Sequence, residues 1–208
     1  MFFDLNQSPG FKRTVFNAIV APRPIGWISS VDEHGTANLA PFSHFNLVST
    51  APPVLIFSCN TPADRPEKDT IANVRATGEF VVNLATLALA EAMNATSAPA
   101  PRGVDEFELA GLQKAASVLV RPPRVAASPA ALECRVLRFV DIDPEKPGET
   151  RSTVVFGRVV GVHIAEGFLD ANGRFDTAKA RPLTRLGGTQ YAEAGAIFDL
   201  PSAFAKVV

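Results

Sequence analysis

Residues 23–30 read RPIGWISS, residues 38–60 read NLAPFSHFNLVSTAPPVLIFSCN, and residues 67–70 read EKDT. From Gly35 to Ala63 there is no Asp, Glu, Lys or Arg. Such a stretch is either buried or lines a site that excludes free charge. Ser29, Ser30, Asn38, Ser43, Asn46, Ser58 and Asn60 are spaced through these segments. Small polar groups at intervals in an apolar run suit a flat, uncharged ligand rich in hydrogen bonds. The run ends near Lys68 and Thr70, beside a predicted helix start, where backbone N–H groups and the helix dipole favour an anion. The same residues also read as a solvated helix cap, with Asp69 at the N-cap.

Working outward, Ile25–Val31 reads as a strand, Asp32-Glu33-His34-Gly35 as a turn, and Thr36–Pro41 as the returning strand. Val54–Ser58, after Pro52-Pro53, reads as a short buried strand. Asp69–Thr77 is a predicted helix stopped by Gly78, Phe80–Leu84 a strand, and Ala88–Met93 a second short helix. Leu132–Ile142 and Val154–Ala165 are long strands. In the first, Leu132, Cys134 and Val136 share one face while Leu137 and Phe139 share the other. That phase slip predicts a bulge, or burial on both faces. Gly157 and Gly161 in the second strand predict close approach of backbone or ligand. Many strands, tight turns and few helices predict a mainly β, mostly antiparallel barrel, with residues 1–208 forming a single domain.

Composition narrows the function classes. The formal net charge of −1 gives no argument for nucleic acid or an anionic membrane as partner. Prolines 41, 52 and 53 break the uncharged stretch as a membrane span. The N-terminus lacks a basic segment followed by a long apolar one, so a cytoplasmic protein is expected. The two cysteines, Cys59 and Cys134, have no metal or CxxC spacing and read as buried thiols. His34, His44 and His163 stand apart from other ligating residues, so no metal site is expected. Of the three, only His44 is a candidate for a place near a ligand, and a buried histidine more often simply satisfies its neighbours.

These segments resemble the flavin reductase-like family of FMN-binding split-barrel proteins. The pieces that carry the resemblance are residues 23–30, Asn38-Leu39-Ala40-Pro41-Phe42-Ser43, Phe45-Asn46, Pro52-Pro53 and Lys68-Asp69-Thr70. Further pieces are residues 78–84, Leu132-Glu133-Cys134, residues 156–161, and Arg185-Leu186-Gly187-Gly188 with Tyr191. They fall in order along nearly the whole chain. One departure lies between Ser58 and Lys68. A Ser-rich or Arg-containing turn is expected there, and the chain has Cys59-Asn60-Thr61-Pro62-Ala63-Asp64-Arg65-Pro66.

The resemblance implies bound FMN. Its phosphate would meet Lys68 and Thr70, and its ring the backbone and side chains of Ala40, Pro41, Phe42, Ser43 and Asn46. Trp27 and Phe42 would pack on the ring or polyol, although both read equally well as plain core. Ile28, Ser29, Ser30, Ser58, Cys59 and Asn60 complete the expected cofactor-binding set. Neither Gly-x-Ser-x-Gly nor GxGxxG occurs, so NADH or NADPH would have to come to the flavin face itself. Hydride transfer between two cofactors needs no side-chain acid or base, and no catalytic residue is expected. Arg185 and Tyr191 are the expected nucleotide contacts, though paired glycines beside an Arg also describe a surface turn. The resemblance further implies a homodimer that reduces flavin for a flavin-dependent monooxygenase or another electron acceptor. The alternative is a non-enzymatic electron carrier or flavin store.

Overall fold

The computed structural model describes residues 1–8, 10–12 and 14–200. Among the described residues the strands are β1 Arg23–Pro24, β2 Gly26–Val31, β3 Ala37–Phe42, β4 Phe45–Thr50, β5 Pro53–Asn60, β6 Glu79–Leu84, β7 Lys114–Ala115, β8 Arg124–Val125, β9 Ala130–Ile142, β10 Ser152–Ile164, β11 Leu183–Arg185 and β12 Tyr191–Glu193. The helices are α1 Thr14–Ile19, α2 Asp69–Thr77, α3 Ala90–Ala95, α4 Glu106–Leu109 and α5 Thr177–Ala180, with a 3-10 turn at Leu87–Leu89.

Seven strands form one antiparallel sheet in the order β3-β2-β6-β9-β10-β5-β4. Its two outermost strands, β3 and β4, are consecutive in sequence and joined only by Ser43 and His44. The sheet therefore has to curl until its edges nearly meet, and Ser58 N–H donates to His44 C=O at 2.8 Å beside that seam. This is the expected split barrel, closed on one side by a two-residue link.

The strand expectations hold in outline. The Asp32–Gly35 turn forms, with Asp32 Oδ1 accepting from the amides of His34 and Thr36 at 2.9 and 2.8 Å, and Gly35 at φ 89°. The phase slip in β9 is a bulge. Gly157 pairs with Val136 and Phe156 with Arg138, leaving Leu137 unpaired. A second irregularity leaves Val160 unpaired between Val159 and Gly161. Gly157 gives room to the Phe80 ring, since a Cβ there would lie 2.3 Å from its Cζ. The second expected helix divides into the 3-10 turn and α3. Strand β4, which carries Asn46, and helices α1 and α4 were not expected.

Strand β2 is buried on both faces, and so it separates two cores. Ile28 joins Phe42, Leu55, Phe57, Ile71, Phe80 and Cys134 inside the barrel. Trp27 joins Ile25, Leu39, Met93, Phe107 and Leu183 on the other side, beneath α3 and α4. The Phe57 ring meets Phe42 and Phe80 with centroids 5.1 and 5.2 Å away, in the tilted geometries aromatic pairs prefer. A small sheet, β1-β11-β12, brings the late motif against the early one, with Arg23 opposite Arg185. Both cysteines are buried free thiols; burial pushes Cys59 up to about 11 and Cys134 higher still.

Candidate functional site

Helix α2 begins where the sequence places it, but its N-cap is Lys68, not Asp69, and no side chain caps its first turn. Those N–H groups remain available to an anion. Asp69 is instead the first helical residue and lies 3.6 Å from the Arg65 guanidinium. The Lys68 ammonium sits 5.5 Å from the centroid of the Phe42 ring. In front of this helix start opens a cleft of about 390 Å³, within the ~300–1,000 Å³ range of small-molecule sites. Its walls include Ala40 and Pro41 of β3, the turn bearing Arg65, Lys68 and Thr70 of α2, residues 96–100 after α3, and Glu106 of α4.

A second pocket of about 220 Å³, lined by Ile25, Pro41, Ser43, Met93, Ser97, Arg185 and Tyr191, shares Pro41 and Ser97 with the first. The two form one groove with Lys68 at one end and Arg185 at the other. At the far end the Arg185 guanidinium lies 4.3 Å from the Tyr191 ring centroid and donates to the Tyr191 hydroxyl and the Gly188 carbonyl. The turn is pressed against α1. A Cβ on Gly187 would lie 2.8 Å from the Ala18 Cβ, so the glycine here answers to protein packing. Arg23 is buried and fastens the same region, donating to the carbonyls of Val20 at 2.7 Å and Leu186 at 2.9 Å.

Beneath the cleft floor runs a buried polar chain. Thr70 Oγ1 donates to Asn38 Oδ1 at 2.7 Å, Ser30 Oγ approaches the same oxygen at 3.3 Å, and Asn73 Nδ2 donates to Ser30 at 3.2 Å. Asn38 Nδ2 and the Leu39 amide both donate to Glu106 Oε2, at 2.8 and 2.9 Å. Burial raises the Glu106 carboxyl above its ordinary range; the Leu39 and Asn38 donors oppose this in part, and Asp69 adds to it.

The expected site residues divide accordingly. Ala40, Pro41, Lys68 and Thr70 line the cleft, and Ser43, Arg185 and Tyr191 line its continuation. Trp27, Ile28, Ser29 and Ser30 are fully buried, and Phe42 nearly so. Trp27 Nε1 donates to Thr96 Oγ1 at 2.9 Å, and Ser29 Oγ to the Pro123 carbonyl at 2.5 Å. The Thr70 hydroxyl proton is committed to Asn38, which leaves Lys68, Arg65 and the helix amides as donors at that end. Asn46 is exposed on β4, its Oδ1 accepting from the Leu47 amide, and Asn60 is exposed and bound to Ser152. Ser58 is half-buried beside the seam and Cys59 belongs to the barrel core. His44 bonds to Asn17 Oδ1 at 3.2 Å and lines neither pocket.

Several cleft residues escaped the sequence reading, Arg65 and Glu106 among them. Arg65 stands in the departing turn, three residues before Lys68, and that spacing ahead of a helix start is the signal that marks it. Glu106 lies in a stretch with no recognisable motif.

A family model described as the flavin reductase like domain matches residues 20–179. A protein of unassigned function from Aquifex aeolicus is 38% identical over 176 residues, which are 85% of this chain and 86% of that one. The crystal structure of nitrilotriacetate monooxygenase component B from Bacillus cereus superposes with a TM-score of 0.87 at 30% identity, covering 96% of this chain and 99% of that one. That of a 2-nitrobenzoate 2-nitroreductase from Pseudomonas fluorescens gives 0.82 at 26% identity, covering 98% and 100%. With the rolled seven-stranded sheet and the groove beside β3, these matches establish that the chain belongs to the flavin reductase-like family.

Proposed function

We propose that this flavin reductase-type oxidoreductase holds FMN in the groove and uses NADH or NADPH as hydride donor. The observation that carries the reading is the continuity of the groove. A helix start carrying Lys68 and Arg65, with Asp64 and Asp69 paired to the arginine, lies at one end, an apolar and proline-rich passage in the middle, and an arginine stacked on a tyrosine at the other end.

The donor set fits FMN. Lys68, Arg65 and the α2 amides suit a phosphate dianion. Pro41 and the Ala98-Pro99 wall suit a flat ring. Arg185 suits the phosphate or carboxamide end of an incoming nucleotide. Bound there, FMN supplies an acceptor for two electrons and a proton delivered together as hydride. The chain's own task is to bind, orient and partly desolvate the reacting pair. No side chain need move a proton at that step.

A relative that is a component of a monooxygenase supports a flavin-consuming monooxygenase as partner class. We also read the protein as a homodimer. Helix α1 buries none of its residues, and Ile19 and Val20 are 71% and 63% exposed beside it. A six-residue helix is unstable alone in water and needs a cover.

The test is anaerobic mixing of the FMN-loaded protein with each nucleotide. Bleaching of the flavin absorbance and catalytic reduction of added FMN are the expected outcome. Reduction by dithionite but by neither nucleotide would establish the carrier instead.

A further inference from the structure

Glu106 is a carboxylate in an unusual position. It is only 6% exposed, yet it lines the cleft. Among the described residues, no Lys, Arg or His lies within ion-pair distance of it. Burying a carboxylate without a cation is costly, so its charge needs hydrogen-bond donors. One oxygen, Oε2, has two, from Asn38 and Leu39. The other, Oε1, receives none from another described residue, and the only further donor near the carboxylate is its own amide. A carboxylate oxygen can accept more than one hydrogen bond, and Glu106 lines the cleft, so Oε1 keeps accepting capacity on that side. An accepting oxygen thus remains on the cleft wall, between the Lys68 end and the Thr96–Ala100 wall.

The chemistry of its complement follows. A phosphate is repelled, and an apolar ring leaves the carboxylate unsolvated. A neutral hydroxyl donates a charge-assisted hydrogen bond and satisfies it. We propose that Glu106 recognises the polyol of the bound flavin, its Oε1 accepting a hydrogen bond from a ribityl hydroxyl. This rests on the reading of the groove as a flavin site. It makes Glu106 a specificity residue for flavins that carry a hydroxylated side chain. It also fixes orientation, because the same carboxylate turns the phosphate away toward Lys68 and Arg65.

The experiment compares riboflavin with lumiflavin, which keeps the ring and carries a methyl group in place of the ribityl chain. Wild-type and Glu106→Gln apoproteins are titrated with each by fluorescence quenching, without nucleotide. Gln keeps the acceptor for Asn38 and Leu39 but turns an uncharged amide toward the cleft. The wild type should prefer riboflavin, and the variant should lose about tenfold of that preference, the difference between a charge-assisted and a neutral bond. Equal weakening of both flavins, or an unchanged ratio, overturns the proposal. Failure of the wild type to bind any flavin overturns the flavin reading and this inference together. Should the variant not fold, wild type is titrated with riboflavins each lacking one ribityl hydroxyl. One of them must lose about tenfold in affinity, and uniform affinity overturns the proposal.

Discussion

The indole Nε1 of Trp27 donates to Thr96 Oγ1 at 2.9 Å and so ties the second core to the wall of the cleft. Thr96 Oγ1 passes its own proton to the Met93 carbonyl at 2.8 Å, so a single hydroxyl joins strand β2, helix α3 and the groove. Thr96→Val leaves a buried indole N–H without an acceptor. Denaturant unfolding should record a loss of about 1–3 kcal/mol. An unchanged midpoint and slope would show that the indole finds another partner.

Lys68→Ala should weaken FMN by about one to two decades and riboflavin far less, because only FMN carries the phosphate. Thr70→Ala should behave differently. Its hydroxyl serves Asn38, so the loss should fall on both flavins alike. Calorimetric titration of the two ligands into each variant separates these outcomes.

Arg185→Ala should raise the nucleotide KM while leaving FMN affinity nearly unchanged. Arg185→Lys should not restore it, since an ammonium cannot reproduce a planar fork stacked on Tyr191. Steady-state kinetics with both nucleotides, alongside FMN titration, reads this directly. A variant equal to wild type removes Arg185 from the nucleotide site.

Acid stability should depend on Glu133. Burial pushes this carboxyl up, but hydrogen bonds from His163 and from the amides of Val118 and Leu119 outweigh it and hold the group below its ordinary 4.5. A depressed folded pKa means that the stabilisation is complete above 4.5 and fades as the pH falls through the lowered value. Glu133→Gln should lower stability at neutral pH and flatten the acid limb of a stability–pH curve. An acid limb identical to wild type would assign that limb to other carboxylates.

Sedimentation at micromolar concentration should find a dimer. A clean monomer would leave α1 and its exposed Ile19 and Val20 without a cover.

The sequence was legible where local chemistry is decisive. Helix α2 has the predicted limits because Gly78 adopts φ 71° and stops it, and the phase slip at Leu137 is a real bulge. The bulge accounts for the slip without double-faced burial; Leu137 is 48% exposed. The rest was illegible for a common reason. Polar residues in an apolar run look the same whether they face a ligand or another buried group. Ser29, Ser30 and Thr70 are bonded within the protein. Strand β2 is buried on both faces, so alternation could not say which side chains face the groove. Arg65 lies in the stretch that departs from the family pattern and so carried no assignment, and Glu106 depends on an approach of β3 and α4 that sequence spacing does not encode.

The seam at Ser43-His44 bears on how this molecule tolerates cutting. New termini placed there would leave every pairing of the seven-stranded sheet in place, since β3 and β4 are its outermost strands and are not paired with each other. Only the tether would be lost. The two edges, β3 and β4, would then be held near each other by the barrel core alone, where Phe42 meets Phe57. Leu47 and Val48, each about half exposed on β4, would lie along one of them. Such edges invite strand-to-strand association. A circular permutant opened at this point should therefore be more prone to aggregate than the native chain while retaining its secondary structure.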